Sequence, residues 1–389
     1  MLKTIRELKN LRGKRVLLRA DLNVPLSEDG DILDDTRILA ELPTISYLMD
    51  KGAKLIVCSH LGRPNGFDKY LSLFPVAVNL MQHFPGKVKF CDKTIGEEVK
   101  QEISRMKDGD VLLLENTRFD PREKENDKQF ADELASLADV YVNDAFGTCH
   151  RKHASTYGVA IKLPSAIGFL IEKELEVFRK VLKNPSHPYV AIFGGAKIQD
   201  KLPMISSVVD QADTILIGGG MAYTFLQAQG VNTGESVVVL DKVNEAKKIL
   251  EKAKKKNVKI VLPVDHVAWD RTTEKKVKVD VLLDGMVGLD IGKKTIKLFE
   301  EEIQKAKQVI WNGPLGKYED PDYRKGTMKI AKALAKSSAD TIVGGGDSVS
   351  AVKESGVEDK ISFLSTGGGA SLALIEGQKL PALEVIDKI

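Results

Sequence analysis

A series of short apolar runs that do not alternate with polar residues sets the limits on what this chain can fold into. They fall at 15–19 (RVLLR), 54–58 (KLIVC), 110–114 (DVLLL), 140–142 (VYV), 189–193 (YVAIF), 214–217 (TILI), 259–262 (KIVL), 308–311 (QVIW), 341–343 (TIV) and 361–364 (ISFL). A strand with one wet face alternates apolar and polar residues, whereas a strand covered on both faces does not. These runs therefore predict parallel sheets sandwiched between helices. Helical spacing appears between them. Ile38, Leu39, Leu42, Ile45, Leu48 and Met49 share one face, and Gly52 follows the last turn. Residues 242–255 and 323–336 read the same way. Strand alternating with helix is the pattern of an α/β doubly wound fold.

The chain has 389 residues, and at roughly 100–200 residues per domain this predicts two or three domains. Residues 169–182 (FLIEKELEVFRKVL) form one amphipathic pattern, and Asn184-Pro-Ser-His-Pro188 cannot continue it. Strand runs lie on both sides. The expected organisation is two doubly wound, Rossmann-like parallel-sheet domains joined by this helix, acting as a hinge or as a rigid connector. Lys plus Arg total 58 against 55 for Asp plus Glu, a net +3, which leaves no nucleic-acid footprint. No apolar stretch approaches the ~18 residues of a membrane span. The first residues, Met1-Leu-Lys-Thr-Ile-Arg, have no signal-peptide core. Cys58, Cys91 and Cys149 form no CxxC pair and read as reduced thiols of a cytoplasmic protein.

In open α/β sheets, ligands bind beyond the carboxyl ends of the strands, so the residues after each run carry the functional signal. In the first half those ends are basic: Arg19-Ala-Asp21-Leu-Asn23-Val-Pro25, Ser59-His60-Leu-Gly62-Arg63-Pro64, Glu115-Asn116-Thr117-Arg118-Phe119, and Asn143-Asp144 through His150-Arg151-Lys152-His153. Asp34-Asp35-Thr36 looks like a helix cap that places Arg37 in the first turn. Folding then gathers Arg37, His60, Arg63, Arg118 and Arg151 at one rim. Guanidinium forks suit phosphate and carboxylate oxygens, so a small, highly anionic ligand fits. Any one of these arginines taken alone reads equally well as a surface ion pair.

In the second half the strand ends are glycine-rich: Gly194-Gly195-Ala-Lys197, Gly218-Gly219-Gly220, Gly313-Pro314-Leu-Gly316, Gly344-Gly345-Gly346-Asp347-Ser348 and Gly367-Gly368-Gly369-Ala-Ser371. Glycines let backbone N–H groups approach phosphates, and helix N-termini add positive potential. A GxxxxGK[ST] loop is absent. The Gly218–Gly220 triplet has Tyr223 where a dinucleotide fingerprint needs its third glycine. Lys197 and Lys201 suit charge neutralisation on a transferring phosphoryl group, or else stand exposed at a helix start. Asp347 suits Mg²⁺, or else caps the following helix.

The segments Arg19-Ala-Asp-Leu-Asn-Val-Pro25, Ser59-His-Leu-Gly-Arg-Pro64, Leu114-Glu-Asn-Thr-Arg-Phe119, Asn143-Asp-Ala-Phe-Gly147, Trp311-Asn-Gly-Pro314, Gly344-Gly-Gly-Asp347 and Ser365-Thr-Gly-Gly-Gly-Ala-Ser371 together resemble the phosphoglycerate kinase family, in order and over nearly the whole chain. The resemblance implies reversible phosphoryl transfer from 1,3-bisphosphoglycerate to ADP with Mg²⁺, by a cytoplasmic monomer with no membrane or nucleic-acid partner. It implies a triose-phosphate domain (1–168), a connecting helix (169–184), a nucleotide domain (185–370) and a C-terminal segment (371–389) returning to the first domain. Asp21, Asn23, Arg37, His60, Arg63, Arg118 and Arg151 match the triose site. Lys197 and Lys201 match lysines near the nucleotide phosphates. Gly194, Gly218, Gly219, Gly292, Asn312, Pro314 and Glu319 match the nucleotide wall. Gly345, Gly346, Asp347 and Ser348 match the metal–phosphate loop, with Asp347 as metal ligand. Arg37, Lys197, Gly346 and Gly368 are the expected catalytic groups. Cys149, Lys152, Gln199, Pro203, Lys317 and Ala373 depart from the family's usual residues. Two other readings remain: a nicotinamide-dependent dehydrogenase, which needs the missing glycine fingerprint, and a non-catalytic nucleotide or metabolite sensor, which would be expected to have lost charges such as Arg37 or Lys197.

Overall fold

The computed structural model describes residues 1–388, so the last residue of the predicted C-terminal segment lies outside it. The chain divides into two compact units, Met1–Glu176 with the segment from Lys379 onward, and Val177–Gln378.

The first unit is built on strands β1 (Arg15–Arg19), β2 (Lys54–Cys58), β3 (Val88–Cys91), β4 (Val111–Leu114), β5 (Val140–Asn143) and β6 (Ser165–Ile167). They form one parallel sheet in the order β3-β4-β2-β1-β5-β6. All four residues of β4 and of β5 are buried, as are four of the five in β1 and β2, the physical basis of the unalternating runs. Two edge strands escaped the sequence reading. β3 (VKFC) is partly exposed and interrupted by lysine, and β6 (SAI) has only three residues. Successive strands leave β1 first through β2 and later through β5, so the sheet changes direction around β1. The segment from Lys379 belongs to this unit: Asp387 Oδ2 accepts from the Ser165 amide at 3.0 Å, and the Ala382 amide donates to the Cys149 carbonyl at 3.2 Å.

The second unit holds β7 (Tyr189–Phe193), β8 (Thr214–Ile217), β9 (Lys259–Val261), β10 (His266–Asp270), β11 (Lys275–Val279), β12 (Met286–Ile291), β13 (Gln308–Asn312), β14 (Asp340–Gly344) and β15 (Phe363–Ser365). Its parallel sheet runs β15-β14-β13-β7-β8-β9, and a separate antiparallel sheet runs β11-β10-β12. The antiparallel sheet was not foreseen. β11 reads KKVKV, an alternating strand with lysines outward, and a search for continuous apolar runs passes over it. In the parallel sheet the order reverses between β7 and β13, which pair in register from Tyr189–Gln308 to Phe193–Asn312.

The predicted helices are present as Thr36–Asp50, Phe169–Lys183, Val243–Lys255 and Lys325–Leu334. Pro203 occupies the first turn of the helix Leu202–Val208, where its missing N–H costs nothing.

Candidate active site

The basic rim forms. Asp35 stands at the cap position of the helix Thr36–Asp50 without a side-chain cap bond. Asp34 instead accepts from the Thr36 amide at 2.9 Å. Arg37 lies in the first turn as expected, and its guanidinium is ion-paired to Asp21, which is buried after β1. Asn23 Oδ1 accepts from the Gly62 amide at 2.7 Å, tying the loop after β1 to the loop after β2. Arg118, after β4, is buried, only 6 % exposed, and donates to the Gly62 carbonyl at 2.7 Å. Burial, then Arg19, Arg151 and Arg63, push its pKa down to about 10, with Glu123 opposing. His60, after β2, is held far below the usual histidine range by burial, then by Arg19, Arg118, Arg37 and His153. These mutual effects place Arg37, His60, Arg63, Arg118 and Arg151 in one field. Arg63 and Arg151 are exposed; Arg151 Nε donates to His150 Nε2 at 3.0 Å.

Three residues of this cluster were not singled out from the sequence. Arg19 is fully buried in β1, Glu123 is fully buried, and His153 is buried with its pKa lowered to about 4 by burial, then by Arg118 and Arg19. The available signal was a charged residue closing an otherwise apolar strand (RVLLR). Buried polar atoms also lack protein partners here: Arg118 Nε, Thr117 Oγ1, Asp21 Oδ1 and His153 Nδ1. Unsatisfied buried polar atoms cost stability; Arg118 Nε is a donor and Asp21 Oδ1 an acceptor, and each needs a water or a ligand as its partner.

The second site lies where β7 and β13 part, the reversal point of the sheet. The Gly194 amide donates to the Asn312 carbonyl at 3.0 Å, and the Gly195 amide to the Pro314 carbonyl at 2.6 Å. A Cβ on Gly194 would sit 2.1 Å from the Pro314 carbonyl oxygen, and one on Gly219 (φ +65°) 2.5 Å from the Gly195 nitrogen. A Cβ on Gly218 would meet Leu315 at 2.7 Å. Three backbone segments thus approach closer than any side chain permits. Asn312 donates to the Gly344 carbonyl at 3.0 Å, and Ser348 Oγ accepts from the Gly313 amide at 2.7 Å, joining the loops after β13 and β14.

The two lysines differ. Lys197 is exposed, as the plain helix-start reading expected. Lys201 is not: its Nζ donates to the carbonyls of Gly194 at 2.6 Å and Asn312 at 3.2 Å, and burial lowers its pKa to about 8 against the opposing Asp347 and Asp200. Asp347 is exposed in the first turn of the helix Gly346–Glu354. The cap position belongs to Gly345 (φ +94°) and carries no side-chain bond, so Asp347 does not cap that helix. Gly368 (φ +47°) caps the helix Gly369–Ile375. Gly292 caps the helix Lys293–Lys305, where a Cβ would meet the Asp265 carboxylate at 2.3 Å. Glu319 is exposed. Lys317 is exposed and paired with Asp320 at 3.4 Å.

Among the described residues no group of three or more His, Cys, Asp or Glu gathers to hold a metal. A lone exposed carboxylate beside glycine amides fits Mg²⁺ shared with phosphate oxygens, because Mg²⁺ takes one or two carboxylates plus phosphates.

A cationic rim on one doubly wound unit and a glycine-walled cluster of strand-end loops on the other mark an α/β protein with two candidate anion sites. The family model described as phosphoglycerate kinase matches residues 5–378. Proteins named phosphoglycerate kinase from Finegoldia magna (51 % identical, covering 99 % of both chains) and Dictyoglomus turgidum (51 % identical, covering 99 % of this chain and 98 % of the other) are similar throughout. Solved structures of phosphoglycerate kinases are similar in fold: that from Coxiella burnetii (TM-score 0.86, 36 % identity, 99 % and 98 % coverage) and that from Pyrococcus horikoshii (TM-score 0.87, 33 % identity, 99 % and 98 % coverage). The chain belongs to the phosphoglycerate kinase family.

Proposed function

We propose that the protein transfers a phosphoryl group reversibly between 1,3-bisphosphoglycerate and ADP, giving 3-phosphoglycerate and ATP. The observation that carries this is the pairing of a buried, under-satisfied cationic rim with a cradle made of backbone. The unit Met1–Glu176 serves the triose phosphate and Val177–Gln378 the nucleotide.

The chemistry needs no general base. Towards ATP, the bond from phosphorus to the acyl oxygen breaks as a bond forms to an ionised β-phosphate oxygen of ADP. In the reverse direction the nucleophile is a carboxylate, with a reference pKa of roughly 3.5–4. What remains is positioning and charge neutralisation over the three equatorial oxygens. Asp21 aims Arg37 at the transferring group, and Arg63, Arg118, Arg151, His60 and Asn23 hold the anion. Lys197 supplies a mobile charge to the phosphates. Lys201 holds the Gly194 and Asn312 carbonyls in place and adds charge below pH ~8. Gly346 and Gly368 offer amides at two helix starts. Asp347 would hold Mg²⁺ together with phosphate oxygens, and the ion would supply neutralisation of phosphate charge. Gly292 and Glu319 belong to the adenosine side of the same proposal.

The helix Phe169–Lys183 serves as a hinge in this reading, which predicts a smaller radius of gyration by X-ray scattering once both substrates are present. Three free, buried cysteines fit a reducing cytoplasm, and no helix among the described residues is long and apolar enough to cross a membrane. A monomer is expected by light scattering. Supplying 3-phosphoglycerate, ATP and Mg²⁺, and following 1,3-bisphosphoglycerate through NADH oxidation by an added dehydrogenase, tests the function. Metal-dependent turnover is expected. None, in protein that melts cooperatively and binds ADP, would leave a nucleotide sensor.

A further inference from the structure

Arg19 is fully buried at the end of β1, and all three of its nitrogens are engaged by the protein. Nε donates to Ser155 Oγ at 2.8 Å, Nη1 to the Ala20 carbonyl at 2.6 Å, and Nη2 lies 3.1 Å from His60 Nδ1. Ser155 Oγ–H donates to Glu123 Oε1 at 2.6 Å, and the Ser155 amide donates to Glu123 Oε2 at 2.9 Å. The guanidinium is therefore braced on two sides before it meets the imidazole.

A guanidinium has five donors, no acceptor, and does not give up its proton in a protein. The ring nitrogen facing it must accept. With Nδ1 occupied as an acceptor, the single proton of a neutral imidazole sits on Nε2, because which nitrogen is protonated is set by the bond the other makes. We propose that Arg19 is a positioning residue that fixes His60 as a neutral Nε2–H donor, so the ring gives the bound anion a directional hydrogen bond and no charge. The proposal rests on the reading of the rim as the triose-phosphate site.

The surroundings agree from each element that faces the ring. Arg19 comes from β1, Arg37 from the helix Thr36–Asp50, Arg118 from the turn after β4 and His153 from the segment after β5; none of them favours a second proton on the imidazole. Burial acts in the same direction and is the largest cause. His60 then adds no positive charge to the rim in the range in which an ordinary histidine titrates, roughly pH 5–8.

The test is two-bond proton–nitrogen NMR on histidine-labelled protein without ligand, with the His60 signals assigned by their loss in His60→Gln. The expected spectrum shows Nδ1 unprotonated and Nε2 protonated throughout roughly pH 5.5–8. A proton on Nδ1, or a doubly protonated ring at neutral pH, overturns the proposal. Arg19→Lys keeps an obligatory donor and should preserve the tautomer. Arg19→Met removes it, and the two tautomers should then mix while the His60 midpoint rises. An unchanged His60 spectrum in Arg19→Met would show that Arg19 does not set the ring. Arg19→Met also strips Glu123 of its compensating charge, so it is made together with Glu123→Gln and checked for cooperative melting. In that folded variant, calorimetry at pH 8 should show 3-phosphoglycerate binding weakened about 10-fold, the size of one hydrogen bond to a charged group. The tautomer is read without substrate, so its failure is separate from a failure of the kinase assay.

Discussion

The rim of the first unit and the cradle of the second are both proposed to handle phosphate, yet they are built from opposite materials. The rim concentrates side-chain charge: after burial, Arg19, Arg151 and Arg63 push the Arg118 pKa down, and neighbouring arginines do the same to His60 and His153. The cradle is made largely of what is missing. Gly194, Gly218 and Gly219 stand where any Cβ would strike a neighbour within 2.7 Å, and the strands beneath are held by carbonyl–amide bonds. A rim of side chains can be edited one charge at a time. A cradle of backbone fails as a unit, because each glycine is the space another segment occupies.

The predictions divide along that line. Arg37→Ala should cost most in turnover, roughly 10²–10³ in kcat, the scale of losing one preorganised charge in the transition state. ADP affinity should stay unchanged. A loss of ADP binding in that variant would break the division. Gly194→Ala should do the reverse. It drives a methyl group into the Pro314 carbonyl, so roughly 3 kcal/mol or more of stability should go, with ADP binding, in thermal melts of the second unit.

The pH dependence sharpens the contrast. Lys201 has a folded pKa of about 8, below its ordinary 10.5, so between these values the unfolded chain binds more protons. Stability therefore carries a penalty below pH 8 that is relieved as pH rises through 8. ADP affinity moves the other way, falling above pH 8 as the ammonium is lost. Lys201→Arg should flatten the ADP profile in calorimetric titrations run across that range. The smallest effect belongs to Lys317→Val. An exposed pair at 3.4 Å is worth at most ~1 kcal/mol, and chemical denaturation should find no more.

The sequence showed the parallel strands because burial on both faces leaves uninterrupted apolar runs, and it showed the rim because each rim residue follows such a run or opens a helix after one. It did not show what lies sideways. Arg19 shows only as a charged residue closing an apolar strand, and nothing in RVLLR says that its guanidinium reaches His60. Glu123 sits far from any strand end and reaches the rim through Ser155 and His153. Lys201 looked like an exposed lysine because the carbonyls it holds come from the loop after β7 and from β13, more than a hundred residues apart. Asp347 looked equally like a cap, and only the backbone shows Gly345 in that place. β10 and β11 were hidden by alternation.

The most direct measurement is a crossed calorimetric titration. Arg63→Ala and Lys197→Ala alter exposed residues, one on each unit, and both should fold normally. Each is titrated with 3-phosphoglycerate alone and with Mg²⁺–ADP alone. Separate sites predict that Arg63→Ala weakens only the triose phosphate and Lys197→Ala only the nucleotide. If either variant weakens both ligands, or the two ligands respond in the opposite order, the assignment of one substrate to each unit is contradicted.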